Sequence, residues 1–270
     1  MKFQNIEYKK NIIITGEKSF FGRNFIKIAK KKKLKILVYR KIKNKKKLKN
    51  IKCLIHFSFK KLLNKSPSFF FKKNISEILD LINFCNKKKI KLIFISSASY
   101  APSNKKSKED DDMFSYNMYS MAKILCEKYI KKKAKEYMII RATNIYGKNG
   151  HSFIEDLVKL SKTKCKIINE NKNLIRDFIY INDICEILLK LTAVKKSKLI
   201  LNVGSGKPTK IIDIYKFLRS KKLIQRMIFK NTLYTPPRNF FVADISRLKK
   251  YININFNRNI HEYLINELSN

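Results

Sequence analysis

The sequence predicts an α/β protein, a doubly wound parallel sheet with a smaller α+β domain, and three observations carry that prediction. The stretch Asn11 to Ala29, NIIITGEKSFFGRNFIKIA, reads as strand, tight turn and helix: Ile12-Ile13-Ile14 is a β-branched run, Thr15-Gly16 ends it, and Phe21, Phe25, Ile28 and Ala29 recur at helical spacing. Further short apolar runs, Lys35–Tyr39, Cys53–Phe57 and Leu92–Ile95, follow in the order expected of parallel strands joined by crossovers. The run at Leu92–Ile95 ends in a polar patch, Ser96-Ser97-Ala98-Ser99-Tyr100, at the strand end where ligands of open α/β sheets sit.

Composition narrows the function classes. The 270 residues are 44% hydrophobic, enough for a real core without staples. A net charge of +42 would ordinarily announce a polyanion binder, but 53 of the 62 basic residues are Lys. The lysine runs at 30–33, 45–47, 87–89 and 131–133 fall at expected helix ends and in loops, where a solvated ammonium costs little. The charge therefore reads as compositional, with no specific nucleic-acid partner expected. The five cysteines, Cys53, Cys85, Cys126, Cys165 and Cys185, show no CxxC pairing and read as buried thiols in a reducing compartment. Neither a signal peptide nor an uncharged run of about 18 residues is visible, so a cytoplasmic protein without a membrane partner is expected, with a homodimer as an admissible assembly.

Each element has its own justification. In the first turn Gly16 permits the bend out of the strand and Gly22 lets the helix approach the sheet, while Ser19 stands at the usual middle glycine and offers a hydroxyl to a phosphate. The second strand finishes at Arg40-Lys41, the place that faces an adenosine ribose in a doubly wound sheet, where Arg suits a 2′-phosphate. Only about ten residues separate it from the third strand, too few for a full helical crossover. His56 reads as a packing residue at the end of that strand, and Asn74–Asn86 as a helix. Residues 101–118 form a polar loop whose acidic cluster Glu109-Asp110-Asp111-Asp112 reads as solvated, with no metal site. Tyr119 and Lys123 then stand four apart at the head of a helix, one above the other, so that an ammonium would lower the phenol's pKa for acid/base work.

Taken in order, these features resemble the extended short-chain dehydrogenase/reductase family of Rossmann-fold proteins, in particular its NAD(P)-dependent nucleotide-sugar epimerases, dehydratases and ketoreductases. The resemblance covers nearly the whole length. Thr15 to Gly22 is similar to the family's TGxxGFIG turn, with Ser19 for Gly; Ser97, Tyr119 and Lys123 are similar to its catalytic Ser/Tyr/Lys set. Arg141–Gly147 resembles LRxxNxYG, Arg176–Asp183 resembles RDFIYVxD, and Leu201–Gly206 resembles YNVGSG. The six glycines all lie in or beside these loops, as a glycine-poor chain needs where backbone geometry demands them.

The resemblance implies residue roles. Gly16, Ser19, Phe20, Phe21, Gly22, Arg40 and Lys123 would bind the cofactor, and Ser99, Asn144, Arg176 and Arg238 the substrate. Ala98-Ser99 stands where dehydratases of the family carry Asp-Glu, which argues against dehydration. Arg40 stands where epimerases with tightly held NAD carry Asp, which favours NADP(H) with NAD(H) still admissible. The expected layout is a dinucleotide-binding domain of residues 1–146 plus 177–203 and a substrate domain of residues 147–176 plus 204–270, with the site in the cleft between them. The expected activity is a 4-ketoreductase ahead of a 4-epimerase on a nucleotide-diphospho-sugar. The competing reading is a catalytically degenerate NAD(P)-binding or RNA-binding member of the same fold.

Overall fold

The computed structural model describes residues 11–45, 48–59, 66–101, 103–159, 165–168, 172–224, 226–229 and 239–269, with backbone alone at 165–168 and 226–229. The elements run β1 (Asn11–Thr15), α1 (Phe20–Lys31), β2 (Ile36–Val38), β3 (Ile51–His56), α2 (Pro67–Lys88), β4 (Lys91–Ser97), α3 (Met118–Lys133) and β5 (Tyr137–Ala142). They continue as β6 (Asn144–Tyr146), α4 (Phe153–Lys159), β7 (Cys165–Ile168), β8 (Ile175–Arg176), β9 (Phe178–Tyr180), α5 (Ile181–Ala193) and β10 (Leu199–Val203). The last are β11 (Thr209–Lys210), α6 (Ile211–Ser220), β12 (Arg226–Phe229), β13 (Phe240–Phe241), α7 (Ser246–Lys249) and α8 (Ile260–Leu268).

Six strands form one sheet in the order β10-β5-β4-β3-β1-β2. The pairs of β1 with β2, β1 with β3, and β3 with β4 are parallel, so the order reverses direction between β1 and β3. Ile12, Ile13, Ile14, Leu54, Ile55, Leu92 and Ile93 are all fully buried, as a sheet covered on both faces requires. On one face, Ile78, Leu81, Ile82 and Cys85 of α2 and Cys126 and Ile130 of α3 pack on Ile13, Leu54, Leu92, Phe94 and Ile139. The short link after β2 opens with a 3₁₀ turn, Tyr39–Lys41. Helix α2 starts seven residues before the expected Asn74, because Ser66 caps the Phe69 N–H and Pro67 sits in the first turn, where its missing N–H costs nothing.

The chain divides into two compact units, Met1–Ser97 with Ser115–Arg141 and Cys185–Leu201, and Ala98–Phe114 with Ala142–Ile184 and Asn202–Asn270. The second has its own core, built from Tyr146, Ile154, Leu157, Phe178, Ile214, Leu218, Tyr263 and Leu264. Its strands pair as β11-β8-β13, β12-β7 and β6-β9. Ala98–Phe114 is tied into that unit by long-range bonds. Asn202 donates its amide to the Ser107 carbonyl at 2.9 Å, and its main-chain N–H goes to Glu109 at 2.9 Å. Glu109 also meets Arg247 at 3.4 Å. The acidic cluster is thus not wholly solvated: Glu109 is buried, because it serves as an internal acceptor for a strand end 93 residues away.

Lys91, at the start of β4, shows how the first unit closes the end of α5. Its ammonium takes the carbonyls of Val194 at 2.6 Å and Lys196 at 2.8 Å, satisfying acceptors that a helix end leaves open. The tightest constraint is at Gly22, where an added Cβ would run into the Gly16 carbonyl with backbone on both sides. Gly22→Ala should therefore lower unfolding free energy by about 1–3 kcal/mol, the cost of overpacking, in spite of alanine's better helix propensity. Denaturant melts of the two proteins check this, and an unchanged or raised midpoint would remove the close approach from the account.

Candidate active site

In the first unit the residues that the sequence singles out gather at the strand ends flanking the reversal between β1 and β3. Gly16 has φ +69°, and a Cβ there would strike the main chain of Phe57 and Ser58, so the turn after β1 lies directly on the chain leaving β3. Ser19 caps α1, its Oγ accepting the Gly22 N–H at 3.0 Å, which leaves its hydroxyl proton to donate elsewhere. The main-chain N–H groups of Phe20 and Phe21 lie in the first turn of a 12-residue helix with no acidic residue there, where a helix start has no intrahelical acceptor for them. The Phe21 ring stacks on Phe57 at 5.0 Å and is buried, so Phe21 offers the turn its backbone and gives its ring to the core.

Arg40 is not the free guanidinium that the sequence suggested. Its Nε donates to the Glu17 carboxylate at 2.5 Å and a terminal nitrogen meets the same oxygen, so the charge is engaged by an acid within the turn itself. The Arg40 hydrogen bond in turn holds Glu17 below the usual carboxylate range. The physical reason is adjacency: β1 and β2 pair in parallel, with Ile14 opposite Val38, so the residues just past both ends meet.

The cap of α3 positions the next pair. Asn117 accepts the Ser120 N–H at 2.9 Å and Ser120 Oγ accepts the Asn117 N–H at 3.0 Å, a reciprocal box that fixes the helix start. Tyr119 then lies in the first turn and Lys123 in the next. Lys123 is 4% exposed; its ammonium donates to the Ile95 carbonyl at 2.6 Å and lies 3.9 Å from the Phe59 ring and 4.7 Å from Phe94. Burial lowers it to about 7, with Glu127 pulling the other way. Tyr119 stays 47% exposed and its ring packs edge-on to Phe59 at 5.3 Å. The expected lowering of its phenol by Lys123 does not occur: desolvation raises it, and the ammonium is turned onto the Ile95 carbonyl and the Phe59 face.

Ser97 ends β4 half-buried, beside a network that the sequence reading missed. Ser96 donates to Glu127 at 2.5 Å, and Glu127 takes Arg141 at 2.8 Å, both charges being almost wholly buried. Glu127 follows Lys123 by one turn, so the same face of α3 carries both. The available signal was a charged residue in each of two otherwise apolar positions, on α3 and at the end of the Tyr137–Ala142 strand. His56, at the end of β3, stacks on Phe94 and bonds Thr15 at 2.7 Å; burial lowers it to about 3, which keeps it neutral.

In the second unit Asn144 and Arg176 come together. Asn144 donates its amide to the Asp177 carbonyl at 3.1 Å, and Arg176 lies 3.5 Å from the Asn144 oxygen. Asp177 is fully buried and anchors the loop after β10, accepting from the Ser205 N–H at 2.8 Å, its hydroxyl at 2.6 Å and the Gly206 N–H at 3.0 Å. Ser99 is buried, its carbonyl accepting the Phe114 N–H at 3.0 Å. Arg238 lies outside the described residues. A cavity of about 290 Å³ in this unit is walled by Tyr146, Tyr180 and Phe178, with Lys207 and Arg258 at its edge. Among the described residues no group of three His, Cys, Asp or Glu is arranged for a metal ion, and no helix is long and apolar enough to cross a membrane.

The buried lysine has a measurable signature. A folded-state pKa near 7 against an unfolded value near 10.4 means that unfolding takes up a proton in between, so Lys123 makes stability rise with pH across that window. The slope is at most about 1.4 kcal/mol per pH unit. Lys123→Met should flatten that rise between pH 7 and 9 relative to the parent protein; parallel stability curves for the two would contradict the burial of the ammonium.

Comparisons with known proteins place the chain in a family. The model of the NAD dependent epimerase/dehydratase family matches residues 12–204. The chain is similar to an ADP-L-glycero-D-manno-heptose-6-epimerase of Brachyspira hyodysenteriae, 24% identical over 69% of this chain and 67% of the relative. It is also similar to a dTDP-4-dehydro-6-deoxyglucose reductase of Escherichia coli, 28% identical over 73% of this chain and 68% of the relative. Among solved structures, MoeE5 in complex with UDP-glucuronic acid and NAD superposes with a TM-score of 0.83 over 96% of this chain and 98% of that one, at 15% identity, a likeness of fold. The family match runs from the first strand to Gly204, well over half of the molecule, and the chain belongs to the NAD dependent epimerase/dehydratase family.

Proposed function

We propose that the protein is an NAD(P)-dependent oxidoreductase or epimerase acting at C4 of a nucleotide-diphospho-sugar, with 4-ketoreduction ahead of 4-epimerisation, in a reducing cytoplasmic setting. The observation that carries the reading is Lys123, a buried ammonium one helical turn after Tyr119 and bonded to the strand that ends in Ser97. A solvated-surface lysine would need no carbonyl and no aromatic cage. The relatives named above act, by their names, on nucleotide-linked sugars, which supports the same substrate class here.

The residues present fit a dinucleotide. Gly16 and Gly22 let the turn after β1, the start of α1 and the chain leaving β3 close on one another, and the first-turn N–H groups of Phe20 and Phe21 with the Ser19 hydroxyl are donors suited to a pyrophosphate. A nicotinamide ring bound there would supply the hydride donor or acceptor. Tyr119 would give a proton to, or take one from, the sugar oxygen, and Ser97 would hydrogen-bond that oxygen. Lys123 would hold the nicotinamide ribose and, turned from the Ile95 carbonyl toward the phenol, lower the proton affinity of Tyr119. Asn144, Arg176 and Arg238 would receive the nucleotide diphosphate. Arg40 would meet a 2′-phosphate by leaving Glu17, and the exposed ion pair given up, about 0–1 kcal/mol, works against the roughly 10- to 150-fold NADP(H) preference that a free guanidinium would give. NAD(H) and NADP(H) are therefore both proposed as ligands.

Tyr119→Phe should lower turnover by about 10²–10⁴-fold while leaving reduced-cofactor binding nearly unchanged. Lys123→Ala should weaken both. The assay pairs each reduced cofactor with UDP-glucose, UDP-glucuronic acid and dTDP-4-dehydro-6-deoxyglucose, following nicotinamide absorbance and product sugar. A Tyr119→Phe protein that turns over at the parent rate would end the catalytic assignment. Cofactor and sugar binding without turnover in the parent protein would move the weight to a degenerate member of the fold.

A further inference from the structure

Glu17 stands directly after Gly16, inside the turn between β1 and α1, where the family reading asked nothing of it. Its side chain is 12% exposed, while that of Arg40 is 58% exposed, so the carboxylate is the more shielded of the two partners. Two guanidinium nitrogens converge on the one Glu17 oxygen, and Lys41 adds further positive potential. The ribose-facing end of β2 therefore carries two cations and one anion. A 2′-phosphate arriving there would have to take the Arg40 N–H groups away from Glu17 and then sit beside an uncompensated carboxylate. An unphosphorylated ribose meets neither cost, since its hydroxyls can donate to a carboxylate that keeps its arginine.

We propose that Glu17 is a specificity-determining residue for the adenosine ribose of the cofactor, holding Arg40 back from a 2′-phosphate and so moving the chain toward NAD(H). This rests on the reading that the turn between β1 and α1 holds a nicotinamide dinucleotide, and it deepens that reading. Glu17 and Arg40 act as one element: the arginine alone would select for the phosphate, and the glutamate cancels that selection.

The test is direct titration of NADH and NADPH, at one fixed ionic strength, into the parent protein, Glu17→Gln, Arg40→Ala and the double variant. The chain contains no Trp, so nicotinamide fluorescence reports binding without a competing indole signal. Glutamine keeps the shape of the side chain and removes its charge. Glu17→Gln should raise the ratio of NADPH to NADH affinity by about tenfold, the gain should vanish when Arg40→Ala is added, and it should shrink as salt is raised. An unchanged ratio in Glu17→Gln, or a gain that persists without Arg40, overturns the proposal and leaves the hydride-cofactor reading standing. Failure of both cofactors to saturate any of the four proteins overturns that reading and this inference with it.

Discussion

The close approach of three backbone segments, the Gly16 turn, the first turn of α1 at Gly22 and the chain leaving β3 at Phe57–Ser58, is the constraint on which the first unit depends. No side chain fits at either glycine, so the sheet and α1 are locked at a distance that only two hydrogens permit. That lock sets what stands at the ends of β1 and β3, the pair of strands at which the order of the sheet reverses. It sets the start of α1 at the same spot, and Glu17 within the turn meets Arg40 from the end of β2. A single packing requirement thus places a helix start, an acid and a guanidinium together.

Around that lock, charges are buried in pairs whose partners are other parts of the same unit. Lys123 rests on a strand carbonyl and aromatic faces, and Glu127, four residues on, is satisfied by Ser96 and Arg141. Removing either partner of the Glu127–Arg141 pair would leave a charge with almost no solvent, which is costlier than never burying the pair. The outcome is a β4 end, carrying Ser97, tied to α3, carrying Tyr119 and Lys123, by buried bonds. Phe59 completes this arrangement by packing against both Lys123 and Tyr119. The ammonium's low pKa follows from these dry surroundings, while the Tyr119 side chain beside it keeps close to half of its surface exposed.

What was legible in the sequence was local. The β-branched run, the glycine spacing and the Tyr-to-Lys interval depend on neighbours within a few residues, and α1, β4 and α3 appear where periodicity places them. The Ser66-Pro67 start of α2 was also written locally, but Phe69-Phe70-Phe71 and Lys72-Lys73 after it obscure the helical period, so the helix read as beginning at Asn74. Long-range pairings were not legible. Glu109 looked like one of four solvated acids until Asn202 and Arg247 came to it from the other end of the chain. Arg40 looked free until the pairing of β1 with β2 brought Glu17 alongside. In both cases a charged side chain in so basic a sequence carries little information by itself, and the partner is set by topology.

In the function proposed above, this lock and the groups beside it serve hydride transfer to or from a sugar carbon. The most direct measurement is a single-turnover reaction of the full chain with a nicotinamide cofactor deuterated at C4 and dTDP-4-dehydro-6-deoxyglucose, with the product sugar read by mass spectrometry and NMR. The account predicts one deuterium on the sugar ring carbon that bore the ketone and its loss from the cofactor. Saturable binding of both ligands with the label remaining on the cofactor would contradict it.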